Sequence, residues 1–198
     1  MARQKPLTRP ARGPYSVADL HGLRDGKGFE LEDGWLIEVD YGARHNFVAQ
    51  RLSRLIDVAV GTREMHVCLC GGWEIATASG IRKPDIIVLP RDVVRQAVVA
   101  DSNLVPAEQV LLAVEVLAPG TDSERTDRVR KVREYAAIGI PQYWIVEHHP
   151  EPRIHRLVLV EGGYRADPAV GPGAVFDAEV AAEQGFRVRF DPAALLEI

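Results

Sequence analysis

The chain has 198 residues, a hydrophobic content of 46%, a charged content of 26% and a formal net charge of −4 at pH 7. This length suits one large hydrophobic core, and no apolar run approaches the roughly 20 residues of a membrane helix, so no membrane span is expected and the cytoplasm is the expected compartment. The acid excess argues against a broad, sequence-independent grip on nucleic acid, which would have to be held by a local basic strip instead.

The first thirteen residues, MARQKPLTRPARG, carry Arg3, Lys5, Arg9 and Arg12 and no acid. Rich in proline and arginine, residues 1–13 are expected to form a disordered basic arm, with 14–198 as a single domain. Residues 29–39, FELEDGWLIEV, predict a hairpin, because Asp33-Gly34 is a favoured two-residue turn between arms of alternating character. In its second arm Trp35, Ile37 and Val39 share one face while Leu36 and Glu38 share the other. From His45 the apolar positions Val48, Leu52, Leu55, Ile56 and Ala59 follow helical spacing, and Gly61 is a natural stop. His45, on the first turn, is expected to point inward beside Glu38.

Strands are expected at 65–70 and 73–78, on either side of Gly71-Gly72. The only cysteines, Cys68 and Cys70, lie two apart in HVCLC with His66 on the same parity, too few ligands for a zinc site, so they are taken as buried strand thiols. Asp85 opens the apolar run DIIVL, residues 92–99 are undecided between helix and strand, and DSNLVPAEQ is a loop. VLLAVEVL is apolar on both faces, as expected of a central strand in a covered sheet, and Ala118-Pro119-Gly120 ends it. A helix is predicted from about Ser123 to Ile138, with Val129, Val132 and Ala136 as its buried stripe and Gly139 and Pro141 closing it. QYWIVEH is another strand, more follow at 154–160, 163–166 and 186–190, and Asp191-Pro192 begins a short final helix. This order predicts an α/β fold: a mixed central sheet flanked by helices, with additional antiparallel strands.

Two acids stand out because they sit in apolar runs, Asp85 in KPDIIVLP and Glu115 in VLLAVEVLAPGT. A buried carboxylate needs a cation, a metal or several donors to stay charged, and two of them invite a shared partner. A hard divalent cation such as Mg²⁺ takes oxygen ligands and keeps several waters, so Asp85, Glu115 and the carbonyl of Val116 suffice to hold it. On the next helix Asp127, Lys131 and Tyr135 follow at four-residue spacing, and an ammonium over the strand end could orient water or stabilise developing negative charge. The competing reading makes Asp127 and Lys131 an ordinary salt pair on a solvated face.

Taken together, PDIIVL, the run AVEVLAPGTDSERTDRVRKVREYAAIGIPQYWIVE and the early FELEDGWLIEV resemble the Uma family of restriction endonucleases, within the PD-(D/E)XK nuclease superfamily, over roughly residues 28–197. The resemblance implies a restriction-endonuclease-like fold and a site of Asp85, Glu115 and Lys131 with Mg²⁺ or Mn²⁺ as cofactor. Glu38 matches the family's early acidic position and His45 its histidine at the first helix. The superfamily lysine, normally two residues after the strand acid, would fall at Leu117, so Lys131 inherits that role. Arg125, Arg128, Arg130 and Arg133 around it are candidate phosphate contacts. The function expected is metal-dependent hydrolysis of phosphodiester bonds in nucleic acid, DNA in the first instance. The alternative is a catalytically inactive nuclease-fold binding or assembly module. A homodimer or larger homo-oligomer is expected, with QYWIV or the C-terminal strands as its interface.

Overall fold

The computed structural model describes residues 13–23, 28–39, 42–69, 72–117 and 122–197, with the side chains of Asp122 and Ser123 left out. The expected basic arm, Cys70 and the strand end at Ala118-Pro119-Gly120 lie outside the described residues, apart from Gly13.

The hairpin forms as its turn residues dictate. Strands β1 (Phe29–Glu32) and β2 (Trp35–Glu38) are joined by Asp33 and Gly34, both at positive φ, 48° and 80°, the conformation a tight primed turn requires. β1 also pairs with β5 (Gly80–Arg82), which continues through β4 (Glu74–Thr77) to β7 (Leu104–Val105). One face of this five-stranded sheet is apolar, with Leu31 and Ile81 packed on Leu20 of α1 (Val17–Gly22). The opposite face carries Glu30, Glu32 and Arg82, since strand neighbours alternate. Gly80 lies at φ +148°, and a Cβ there would sit 2.3 Å from the Leu31 carbonyl oxygen. Gly80→Ala should therefore destabilise the fold by about 1–3 kcal/mol in urea denaturation; an unchanged midpoint would show that the β1–β5 approach is looser than drawn.

The larger sheet has the order β11 (Gly163–Ala166), β10 (Arg153–Val160), β9 (Gln142–Glu147), β8 (Leu112–Val116), β6 (Ile86–Pro90), β3 (Met65–Leu69). Its one parallel pair, β8 with β9, is joined by a helical crossover of α4 (Asp122–Arg125), a π-helical stretch (Thr126–Arg130) and α5 (Lys131–Ala137). Successive residues of the central strands enter different cores. Ile86, Val88, Leu112, Val114 and Val116 pack with α2 (Ala43–Val60) and the hairpin of β12 (Phe176–Val180) and β13 (Phe186–Phe190). Ile87, Leu89, Ala113 and Leu117 pack with α3 (Arg91–Ala100) and Tyr135 of α5. VLLAVEVL is apolar on both faces because both are covered.

Several expectations are revised. Residues 92–99 are helical, the expected loop DSNLVPAEQ contains the short strand β7, and α1, β5 and β12 had no expectation attached. Val129 is 47% exposed, so it is not part of a buried stripe; the inward residues of the crossover are Asp127, Lys131, Tyr135 and Ala136. QYWIV cannot serve as an interface between copies, because β9 lies between β8 and β10 with Tyr143 and Trp144 fully buried. Cys68 is buried and its thiol pushed up to about 12 by burial, whereas His66 on the same strand is exposed. Among the described residues no helix is long and apolar enough to cross a membrane.

Candidate active site

The antiparallel ladder of β6 with β8 pairs Ile86 with Val114 and Ile87 with Ala113. Continued one step beyond the ladder, that register puts Asp85 across from Glu115, whose strand neighbours Ala113 and Leu117 pack in the same cluster as Tyr135. The Val116 backbone N–H donates to Asp85 Oδ2 at 2.7 Å, and His45 Nε2, from the first turn of α2, lies 3.1 Å from that oxygen. The other oxygen, Asp85 Oδ1, is buried and has no hydrogen-bond partner among the described residues. Burial works against a charged His45, but the hydrogen bond and attraction of Asp85, with help from Asn46 and the Val116 backbone, raise its pKa overall.

Lys131 is the hub of the site. Its ammonium lies 2.8 Å from Glu115 Oε1, 2.9 Å from Glu30 Oε1 and 2.9 Å from Asp127 Oδ1, all of these residues being buried. Tyr135 O–H donates to Glu115 Oε1 at 3.0 Å, and Tyr143 O–H donates to the Asp127 carbonyl at 2.9 Å, tying the π-helical stretch to the sheet. π turns recur at functional sites because they re-aim side chains on a helix that packing otherwise fixes. Here the crossover turns a charged edge inward, where Glu115 stands among the apolar residues of the sheet face.

One ammonium among several carboxylates leaves charge uncompensated, and the pKa shifts follow. Burial, with Asp127, Asp85 and Glu30 as neighbours, pushes Glu115 well above the ordinary range despite Lys131. Asp127 is pushed up to about 6, chiefly by burial. Glu30 is equally buried yet lowered, because Arg82 joins Lys131 beside it and the Lys83 backbone N–H donates to Oε1 at 2.8 Å. Burial opposes a charged Lys131 too, but Asp127, Glu115 and Glu30 outweigh it and hold the amine protonated well beyond the ordinary range. Arg82, fully buried, is clasped by Glu134 at 2.7 Å, Glu32 at 2.9 Å and Glu30 at 3.3 Å.

These shifts set the pH dependence of stability. Asp127 and Glu115 hold protons more tightly folded than unfolded, so their contribution is present below their ordinary values and lost as pH rises through about 6 and above. His45 acts in the same direction, its share present below 6.5 and lost as pH climbs through the raised folded value. Glu30, Glu134 and Glu147 are lowered, so their contribution is present above 4.5 and lost only as pH falls below it. In chelator the protein should be most stable near pH 5 and lose on the order of 3 kcal/mol between there and pH 8. Chemical denaturation across that range tests this, and stability rising steadily to pH 8 would contradict it.

Other sequence-selected positions divide. Glu38 is exposed and pairs with Phe29 across the hairpin, on the face opposite Glu30 and Ile37. Glu30, not singled out in the sequence, is the hairpin acid that reaches Lys131. The signal for it was the Asp33-Gly34 register, which pairs Glu30 with Ile37. Asp127 and Lys131 do form a pair, but a buried one and not one on a solvated face. Arg128 is engaged by Glu124 at 3.1 Å and Glu147 at 2.6 Å, and Arg130 by Glu32, Asp33 and Glu134. Arg125 and Arg133 are exposed and, among the described residues, in no ion pair.

Among the described residues no three His, Cys, Asp or Glu side chains gather to hold a metal by themselves. The donor set still fits a hard cation. Asp85 Oδ1 is a buried oxygen without a hydrogen-bond partner among the described residues, Glu115 lies on the neighbouring strand one step beyond the paired ladder, and the strand end leaves further positions to backbone, water and ligand.

Comparison with known proteins sets this geometry in context. No curated protein matches the chain. A crystal structure from Anabaena variabilis ATCC 29413, described as a "putative nuclease belonging to DUF820", superimposes with a TM-score of 0.60 at 14% identity, covering 82% of this chain and 88% of that one. At that identity the likeness shows the fold, a mixed α/β architecture with its sheets flanked by helices. A family model matches residues 17–191, which include Asp85, Glu115 and Lys131. The chain therefore belongs to the Uma2 family, described as "Putative restriction endonuclease".

Proposed function

We propose that this protein is a metal-dependent endonuclease that hydrolyses phosphodiester bonds of cytoplasmic nucleic acid, DNA in the first instance. Asp85, Glu115 and the Val116 carbonyl hold Mg²⁺ or Mn²⁺ in this reading. The observation that carries it is the meeting, at one strand end, of a buried Asp85 oxygen without a partner and a Glu115 carboxylate bonded to a lysine that burial has not neutralised. When bound, the cation withdraws charge from a phosphoryl oxygen and acidifies water.

The remaining work falls to the chain's own groups. Lys131 stabilises negative charge growing on the phosphoryl oxygens, and Glu30 and Asp127 hold its ammonium in place at 2.9 Å each. Tyr135 fixes the rotamer of Glu115, and the Val116 N–H and His45 fix that of Asp85. Glu30 takes the part of the hairpin acid, with Glu38, an exposed residue of the neighbouring strand β2 on the opposite face, an outer carboxylate. In this reading the protein acts as a homodimer, each copy holding one such site.

The test is incubation of supercoiled plasmid with pure protein and Mn²⁺. Nicked or linear product that EDTA abolishes is the expected result. Intact plasmid, linear duplex, single strand and RNA after long incubation, with no heat of Mn²⁺ binding at millimolar concentration, would replace the reading with an inactive nuclease-fold binding module.

A further inference from the structure

We infer that the groove between the β1–β2 hairpin and the π-helical crossover binds an unpaired stretch of nucleic acid, with Trp35 as a stacking surface for a base and Arg125 and Arg133 as contacts to the flanking phosphates. The inference rests on the proposed function and names the form of substrate its site accepts.

The groove has a volume of about 450 Å³, and Ile37, Thr126, Val129, Arg125 and Arg133 line it. Trp35 stands beside it. In the hairpin ladder Trp35 is opposite Glu32, itself a lining residue, and two positions from Ile37, so all three project from one face. Trp35 is 62% exposed and Val129 47%. An indole left largely in water is an apolar surface with a free π-face, and its solvation is relieved when a flat partner covers it.

Charge separates this groove from the rest of an acidic chain. Arg130 is committed to Glu32 and Asp33, bonds that pin the hairpin tip to the helix and hold the groove open in one shape. Arg125 and Arg133 line the same groove without an acidic partner among the described residues. An exposed aromatic flanked by guanidiniums is the pairing that single strands use, bases stacking on the ring while cations track the backbone. A duplex keeps its base faces stacked on one another and offers only phosphates. Two arginines on a chain of net charge −4 are a weak grip for that.

The groove also adjoins the reacting groups. Ile37 is the cross-strand partner of Glu30, whose Oε1 lies 2.9 Å from the Lys131 ammonium. A strand stacked on Trp35 and passing Ile37 is thereby led toward the Asp85 and Glu115 end of the sheet. Thr126 offers a hydroxyl along the same path.

Fluorescence anisotropy with a fluorescein-labelled oligothymidine, against a duplex of equal length, tests the assignment on the full-length protein in EDTA, where no cleavage occurs. Single-strand binding at least tenfold tighter than duplex binding is expected. Trp35→Ala should weaken it about tenfold while Trp35→Phe keeps most of it, and Arg125→Ala with Arg133→Ala should lower the salt dependence by roughly one to two ions. Equal affinity for duplex, or an affinity that Trp35→Ala leaves unchanged, overturns the inference. The two readings fail separately. Stacking-dependent binding by a protein that never cleaves keeps the groove and removes the nuclease, whereas cleavage indifferent to Trp35 keeps the nuclease and removes the groove.

Discussion

Lys131→Met should abolish cleavage and, at pH 8, destabilise the protein by about 3–5 kcal/mol. The methionine fills similar space but leaves Glu30, Glu115 and Asp127 without the ammonium that touches all three. Removing one partner of a buried ion pair strands the other's charge in a medium that solvates it poorly, and here Asp127 and Glu115 lose their ammonium at once while Glu30 keeps Arg82. The loss should be pH-dependent with a definite sign. Asp127 is already pushed up to about 6 and Glu115 well above its ordinary value, so toward pH 5 both take protons and the variant recovers most of its stability. Urea denaturation at pH 5 and pH 8 reads this directly. A variant as stable as the parent at both values, or one that still nicks plasmid, would remove Lys131 from the centre of the site.

Glu115→Gln should separate activity from stability. Cleavage is expected to fall by on the order of 10²–10³-fold and the heat of Mn²⁺ binding to vanish. Stability at pH 8 should hold or rise, because burial already drives Glu115 toward its neutral form and the amide keeps its shape. Its oxygen can still accept from Lys131 and from the Tyr135 hydroxyl, which lie 2.8 and 3.0 Å from Oε1. Calorimetry and denaturation on one preparation decide the matter. A Glu115→Gln protein that loses as much stability as Lys131→Met would mark Glu115 as part of the scaffold alone.

What could be read before folding depended on how local the signal was. The hairpin was legible because Asp33 and Gly34 must both adopt positive φ in a primed two-residue turn. The helix ending at Gly61 was legible from 3.6-residue spacing, and β8 from apolar character on both faces. β5 and β7 were not, being three and two residues long and held by partners distant in the chain. The crossover stripe shows the limit of hydrophobic periodicity. Reading apolar residues as inward selects Val129, but Glu115 of the larger sheet and Glu30 of the smaller one both face the helix, and their need for a cation turns Lys131 inward instead.

By itself the sequence determined the class of fold and the two strand acids worth following, since the cost of burying a carboxylate in an apolar run is a local property of that run. The tertiary structure alone decided which groups share a space. Strand register, one residue of which exchanges the two faces of a sheet, brought Glu30 and not Glu38 to Lys131 and left Trp35 largely in water on the face that Glu32 and Ile37 share.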